Sequence, residues 1–149
     1  MKKVVVLYDS VHSYTKKVAM LLTRGLEEGN VYVDCISVQD LDIEELSNYD
    51  VIGIGVSNRL FCSKQLKILL SKFKYYNLRN KIGFVFEVIT SNTLAGQVAK
   101  RIRRDLKKKG LRLIHPIISC IVQDEENPLE DSNSRRIVQI GLCIADIIR

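Results

Sequence analysis

The four cysteines of this 149-residue chain, Cys35, Cys62, Cys120 and Cys143, lie far apart, with no C-x-x-C pair and no histidine at ligand spacing. A zinc site and a thioredoxin-type redox motif are therefore unsupported. No apolar run reaches the roughly 18 residues that a membrane-spanning helix needs. The opening apolar stretch ends at Asp9, too early for a secretory signal, so the cytoplasm is the expected compartment. The P-loop pattern G-x-x-x-x-G-K-[ST] is missing, and no G-x-S-x-G nucleophile elbow occurs. Gly53 and Gly55 begin a G-x-G-x-x-G fingerprint, but Asn58 holds the third position and both glycines lie inside a strand pattern. The dinucleotide fingerprint is thus absent, and these glycines are read as permitting close helix packing. There is no internal repeat and no low-complexity linker.

What is present fits one globular domain spanning residues 1–149, with 46% hydrophobic residues and a mean hydropathy of +0.02. Apolar runs predict strands near 3–8, 31–37, 51–56, 82–88 and 111–118. Helical periodicity predicts helices near 15–28, 63–73, 94–109 and 131–148, with a short one around 42–48. Val18, Leu22 and Leu26 recur at fours on the first helix, which Gly29-Asn30 ends. Ile137, Gly141, Ile144 and Ile148 form one stripe on the last. Cys35, Cys120 and Cys143 fall within apolar patterns and are read as core thiols. Residues 123–128, Gln-Asp-Glu-Glu-Asn-Pro, read as an exposed connection.

The net charge of +6 is concentrated at 100–109, which holds Lys100, Arg101, Arg103, Arg104, Lys107, Lys108 and Lys109. Leu94, Val98, Ile102 and Leu106 fall four apart beneath those charges, with Ala95 and Ala99 beside them. That is an amphipathic helix with a solvated basic face; a dedicated binding face is the alternative.

Five apolar strands alternating with helices make an α/β chain with a doubly wound parallel sheet and helices on both faces. In such sheets ligands sit outside the carboxyl ends of the strands, so loops 9–15, 57–63 and 87–96 should converge on one crevice. The first loop, Ser10-Val11-His12-Ser13-Tyr14-Thr15, runs from strand to helix and carries hydroxyls at Ser10, Ser13 and Thr15. Backbone N–H groups and the dipole at a helix start attract anions, and this position suits a nucleotide's terminal phosphate better than a simple cap. A phosphoacceptor role for Asp9 would call for a further Asp at the end of the third strand, where Ser57-Asn58 stand. His12 and His115 have no orienting carboxylate in sequence, and His115, before Pro116, reads as a half-buried structural imidazole. Cys62 flanks the second loop and reads as an idle thiol at a helix start; a redox role, favoured by the lower thiol pKa that a helix N-terminus can produce, is the alternative.

The segment from Tyr8-Asp9-Ser10 through Thr15-Lys16-Lys17-Val18-Ala19 resembles the first-loop signature of the flavodoxin family, and its Tyr-Asp-Ser start is similar to flavodoxin domains of the flavodiiron type. Ile54-Gly55-Val56-Ser57-Asn58-Arg59-Leu60-Phe61 occupies the place of the family's Gly-(Ser/Thr)-Pro-Thr-Tyr segment. Ala95-Gly96-Gln97-Val98-Ala99-Lys100, then Gly110 and Pro128-Leu129, resembles later family segments, so the likeness covers essentially the full chain. It implies a flavodoxin-like five-stranded sheet of order 2-1-3-4-5 and noncovalent FMN. Ser10, His12, Ser13, Tyr14 and Thr15 would hold the phosphate; Ser57, Asn58, Arg59, Leu60 and Phe61 would contact the isoalloxazine. Glu87, Val88 and Ile89 would close its other edge through backbone groups. No metal ligands and no catalytic acid or base are assigned, so the implied role is an electron carrier or a small FMN-dependent oxidoreductase module, a cytoplasmic flavoprotein working with redox protein partners.

The chain departs from the family pattern in four respects. Ser13 replaces a Gly, Ser57-Asn58 replace a proline-containing turn, and the basic charge replaces an acidic one. The chain also has no Trp, which leaves Phe61 or a swung Tyr14 to stack on the ring. A positive field would favour an anionic reduced flavin. These departures motivate a second expectation: a cofactor-free domain whose basic helix binds an acidic protein or, less readily, nucleic acid.

Overall fold

The computed structural model describes residues 2–9, 13–57, 63–90, 97–122 and 131–149. Its strands are β1 (Lys3–Tyr8), β2 (Tyr32–Ser37), β3 (Val51–Ser57), β4 (Ile82–Thr90), β5 (Arg112–Leu113) and β6 (Ile118–Val122). Its helices are α1 (Ser13–Glu28), α2 (Lys64–Lys72), α3 (Gln97–Lys108) and α4 (Asp131–Ile148). The expected short helix is a 3-10 turn over Ile43–Asn48, and a second 3-10 turn, Phe73–Tyr75, extends α2.

All pairings are parallel and the order is β2-β1-β3-β4-β5, as the alternation of strands and helices implied. The last strand departs from expectation. β5 pairs with Ile82 and Gly83 of β4, whereas β6 pairs with Phe86–Thr90 of the same strand. They are two halves of one edge strand. The Ile114 N–H still donates to the Gly83 carbonyl at 3.0 Å. Two residues later Pro116 has no N–H to give, so the ladder breaks and restarts at Ile118. A single strand over 111–118 is therefore corrected to Arg112–Leu113 plus Ile118–Val122.

Side-chain alternation along the strands feeds two cores, one on each face. Val4, Val6, Phe84, Phe86 and Val88 pack beneath Val18, Leu22 and Leu26 of α1 and Ile137, Ile144 and Ile148 of α4. Val5, Leu7, Ile52, Ile54 and Val85 pack beneath Leu66 and Leu69 of α2 and Val98, Ile102 and Leu106 of α3. Each helical stripe read from the sequence is buried at its described positions; Leu94 and Ala95 lie outside the described residues. α1 ends as anticipated, with Asn30 taking the left-handed conformation, φ 64°, beyond the last turn.

Two readings of individual residues change. A Cβ at Gly53 would lie 2.4 Å from the Phe84 ring, and one at Gly55 would lie 2.0 Å from the Phe86 ring. Each glycine is the register partner of the phenylalanine it accommodates. The space they leave goes to aromatic rings on the neighbouring strand, not to a helix. Close helix packing is found instead where α1 crosses α4: a Cβ at Gly25 would sit 2.1 Å from the Val138 carbonyl oxygen. Of the three expected core thiols, Cys120 is buried and Cys35 half-buried, whereas Cys143 is exposed. Cys143 lies on α4 between stripe positions Gly141 and Ile144, which turns it off the apolar seam.

Candidate functional site

The carboxyl ends of β1, β3 and β4 and the starts of α1, α2 and α3 lie along one edge of the parallel sheet, which is where the sequence placed the ligand crevice. Ser10, His12, Asn58, Arg59, Leu60, Phe61 and Cys62 lie outside the described residues, as does the connection 123–128. The strand ends and helix starts beside them are described.

Thr15 stands in the first turn of α1. It is fully buried, and its hydroxyl Oγ1 has no hydrogen-bond partner among the described residues. Burying a hydroxyl without a partner costs about 1–3 kcal/mol, so such an atom at a helix start marks a place for an acceptor or donor from outside the chain. Ser13 is the first residue of α1, and no acidic residue stands in that helix's first turn. The positive end of α1 therefore has no carboxylate from its own first turn. Tyr14 follows with its ring buried in the α1 and α4 core, 4% exposed, away from the position of a stacking platform.

The start of α2 is arranged differently. Asp9, 3% exposed, follows β1 and accepts a hydrogen bond on Oδ2 from the Ser63 amide at 3.0 Å. Ser63 in turn caps α2, its Oγ accepting from the Leu66 amide at 3.1 Å. A buried carboxyl group of the chain itself thus sits at the start of α2, the position where a helix otherwise attracts an anion. The other Asp9 oxygen, Oδ1, has no partner among the described residues. Sequence reading weighed Asp9 only as a phosphoacceptor and missed this capping role. Its partner is 54 positions away, and only its place directly after an apolar strand hinted at a role at the site.

Ser57 ends β3 in register with Val88 of β4. Glu87 and Val88 lie within the ladder, between Val56 and Ser57 of β3 on one side and Ser119 and Cys120 of β6 on the other. Their main-chain groups are thus engaged in the sheet. From Ile89 onward β4 has no β3 pair among the described residues, two residues later than the loop boundary read from sequence, while Ile89 and Thr90 still pair with Ile121 and Val122 of β6. Glu87 is 1% exposed and accepts from the Ser119 hydroxyl at 2.7 Å. Beside it, burial pushes the Cys120 thiol up to about 11, an effect that the Glu87 carboxylate reinforces and Arg136 opposes. Cys120 is therefore an inert core thiol at neutral pH. His115 is half-buried with Nδ1 2.7 Å from the Pro116 carbonyl oxygen. No group of three His, Cys, Asp or Glu residues among the described residues could hold a metal ion. No described helix is long and apolar enough to cross a membrane.

The site thus places a buried hydroxyl, without a partner among the described residues, in the first turn of a helix that has no acidic residue there, beside the carboxyl end of β4. These features fit a phosphate carried by a planar cofactor.

No protein-family model matches the chain. Over 55 residues, 37% of this chain, it is 31% identical to "Probable flavodoxin 1" of Bacillus subtilis (strain 168), and the match spans 35% of that protein. A flavodoxin from the domain Archaea superposes with a TM-score of 0.83 at 22% identity, over 98% of both chains. A flavodiiron core from Synechocystis sp. PCC6803 superposes with a TM-score of 0.81 at 14% identity, over 99% of this chain and 36% of that one. Both likenesses read from the sequence, to flavodoxins and to flavodiiron domains, are met at the level of the fold in these structures. With strand order 2-1-3-4-5 and end-to-end superposition on a flavodoxin, the chain has the flavodoxin-like fold.

Proposed function

We propose that this domain binds FMN noncovalently and carries electrons between protein partners in the cytoplasm, either alone or as the flavin module of a larger oxidoreductase. The observation that carries the reading is the buried, unpartnered Thr15 hydroxyl in the first turn of α1, beside a helix start free of acidic residues. In this reading Thr15 Oγ1 donates to the phosphate, and the main-chain N–H groups of Ser13 and Tyr14 join it, with Ser10 and His12 completing the cradle. Ser57 through Phe61 and the β4 edge at Ile89 border the ring, with Glu87 and Val88 fixing that edge in the sheet. The ring supplies the redox chemistry when bound; the protein supplies placement, electrostatics and exclusion of water.

Nothing in the chain is asked to act as a catalytic acid or base. Asp9 holds the start of α2 and keeps a carboxylate near the site, while Tyr14 anchors the first turn of α1 to the core.

Reconstitution tests the reading. Protein incubated with FMN and passed through gel filtration should emerge yellow, bleach with dithionite, recover in air and reduce cytochrome c when re-reduced. Elution of all flavin as free FMN overturns it.

A further inference from the structure

The net charge of +6 hides an uneven distribution. Residues 63–76 and 97–109, which form α2, its 3-10 extension and α3, hold eleven of the 23 Lys and Arg residues and one of the 17 Asp and Glu residues. The rest of the chain holds twelve cations against sixteen acids. Outside one strongly cationic layer, the molecule is therefore net acidic.

Within that layer a groove of about 360 Å³ runs between α2 and α3. Leu70 and Ile102 contribute apolar surface, and Lys67, Arg101, Arg104 and Lys108 line it with positive charge. The one acid, Asp105, is held by Lys109 at 2.8 Å. Lys109 also donates to the Leu70 carbonyl, which ties α3 to α2. The lysine that crosses the groove is thus structural. None of the four lining cations has an ion-pair partner among the described residues. Such crowding of like charge around apolar surface is unfavourable until a negative surface covers it.

We infer that the α2–α3 groove is the docking surface for a small protein bearing a compact acidic patch. Lys67 lies in the first turn of α2 and Arg101 in the second turn of α3, and both helices start at the sheet edge that carries the candidate flavin site. A partner seated in the groove therefore lies beside that site. Its being a redox protein rests on the proposed function; the docking itself does not. A compact patch suits the geometry better than an extended polyanion. Arg101 to Lys108 span only about 10 Å of helix, and a nucleic acid running past the layer would meet the net-negative remainder of the chain.

The test uses the full chain, isotope-labelled, and an acidic plant-type ferredoxin as probe, at about 20 mM salt where surface charges are little screened. Amide shifts should cluster on 64–72 and 97–108. Arg101→Glu/Arg104→Glu should weaken binding at least about tenfold, whereas Arg24→Glu/Arg149→Glu, an equal charge change on the α1 and α4 layer, should stay within about twofold. No binding of ferredoxin, equal weakening by both double variants, shifts outside α2 and α3, or tighter binding of duplex DNA than of ferredoxin each overturns the inference. The same titration without flavin separates the two ideas: ferredoxin docking in a protein that fails to take up FMN sustains the groove and removes the electron-carrier reading.

Discussion

Replacing Thr15 by Val should move stability and ligand affinity in opposite directions. Thr15 is fully buried, and its Oγ1 lacks a partner among the described residues. The folded protein without ligand therefore carries the desolvation cost of a lone hydroxyl, about 1–3 kcal/mol. Valine keeps the β-branched shape and the helical side-chain rotamer but removes the polar atom. A gain of about 1 kcal/mol should follow, raising Tm by about 2–4 °C for a domain of this size. FMN loses a hydrogen bond to a charged phosphate, worth about 1.5–3 kcal/mol, which is roughly a ten- to 150-fold rise in Kd. Thermal melting of flavin-free protein gives the first number, and an FMN fluorescence titration gives the second. A lower Tm would show that the hydroxyl is satisfied within the fold. Unchanged FMN affinity would show that it does not meet the phosphate.

Asp9→Ala should cost about 1–2 kcal/mol in urea denaturation by removing the acceptor of the Ser63 amide, whereas Asp9→Asn retains an acceptor and should lose less than half of that; equal losses would show that the hydrogen bond is not what holds α2. Gly55→Ala drives a methyl into the Phe86 ring and should cost more than about 2 kcal/mol, part of which Phe86→Leu in the same chain should restore. Two independent, additive losses would contradict the cross-strand contact. Burial raises the Cys120 thiol from 9.0 to about 11. Between those values the unfolded chain releases the proton and the folded chain keeps it, so stability should fall as pH rises above 9. Cys120→Ala should flatten that decline in pH-dependent urea melts, and an unaltered slope would assign it elsewhere.

The elements that the sequence declared were those governed by local pattern. Val4–Leu7 and Val51–Val56 are almost wholly apolar and could only be interior strands, and the stripes at Val18, Leu22, Leu26 and at Ile137, Gly141, Ile144, Ile148 could only be buried helix faces. Long-range register was not legible. Gly53 and Gly55 face Phe84 and Phe86 because β3 and β4 pair with one particular offset, which no local window reveals. The break at Pro116 could have been anticipated, since proline cannot donate within a ladder, but the apolar run on either side masked it. Cys143 illustrates the angular tolerance of helical periodicity: one position from Ile144, it is already exposed.

At the site, the hydroxyl at Thr15 was legible as a candidate phosphate ligand from its place after the first strand. That it would be fully buried, and that the Tyr14 ring would turn inward beside it, depended on packing against α4. Asp9 was the least legible residue. Its role as the anion at the start of α2 exists only once β1 and β3 lie side by side. In the proposed reading, that role sets α2 apart from α1 as the seat of the phosphate.

The most direct measurement is therefore a paired titration of the flavin-free protein with FMN and with riboflavin, which differ by the phosphate alone. A phosphate seat at the start of α1 predicts quenching of FMN fluorescence with a Kd at least about a hundredfold below that for riboflavin. Equal affinities, or no quenching by either, would contradict it.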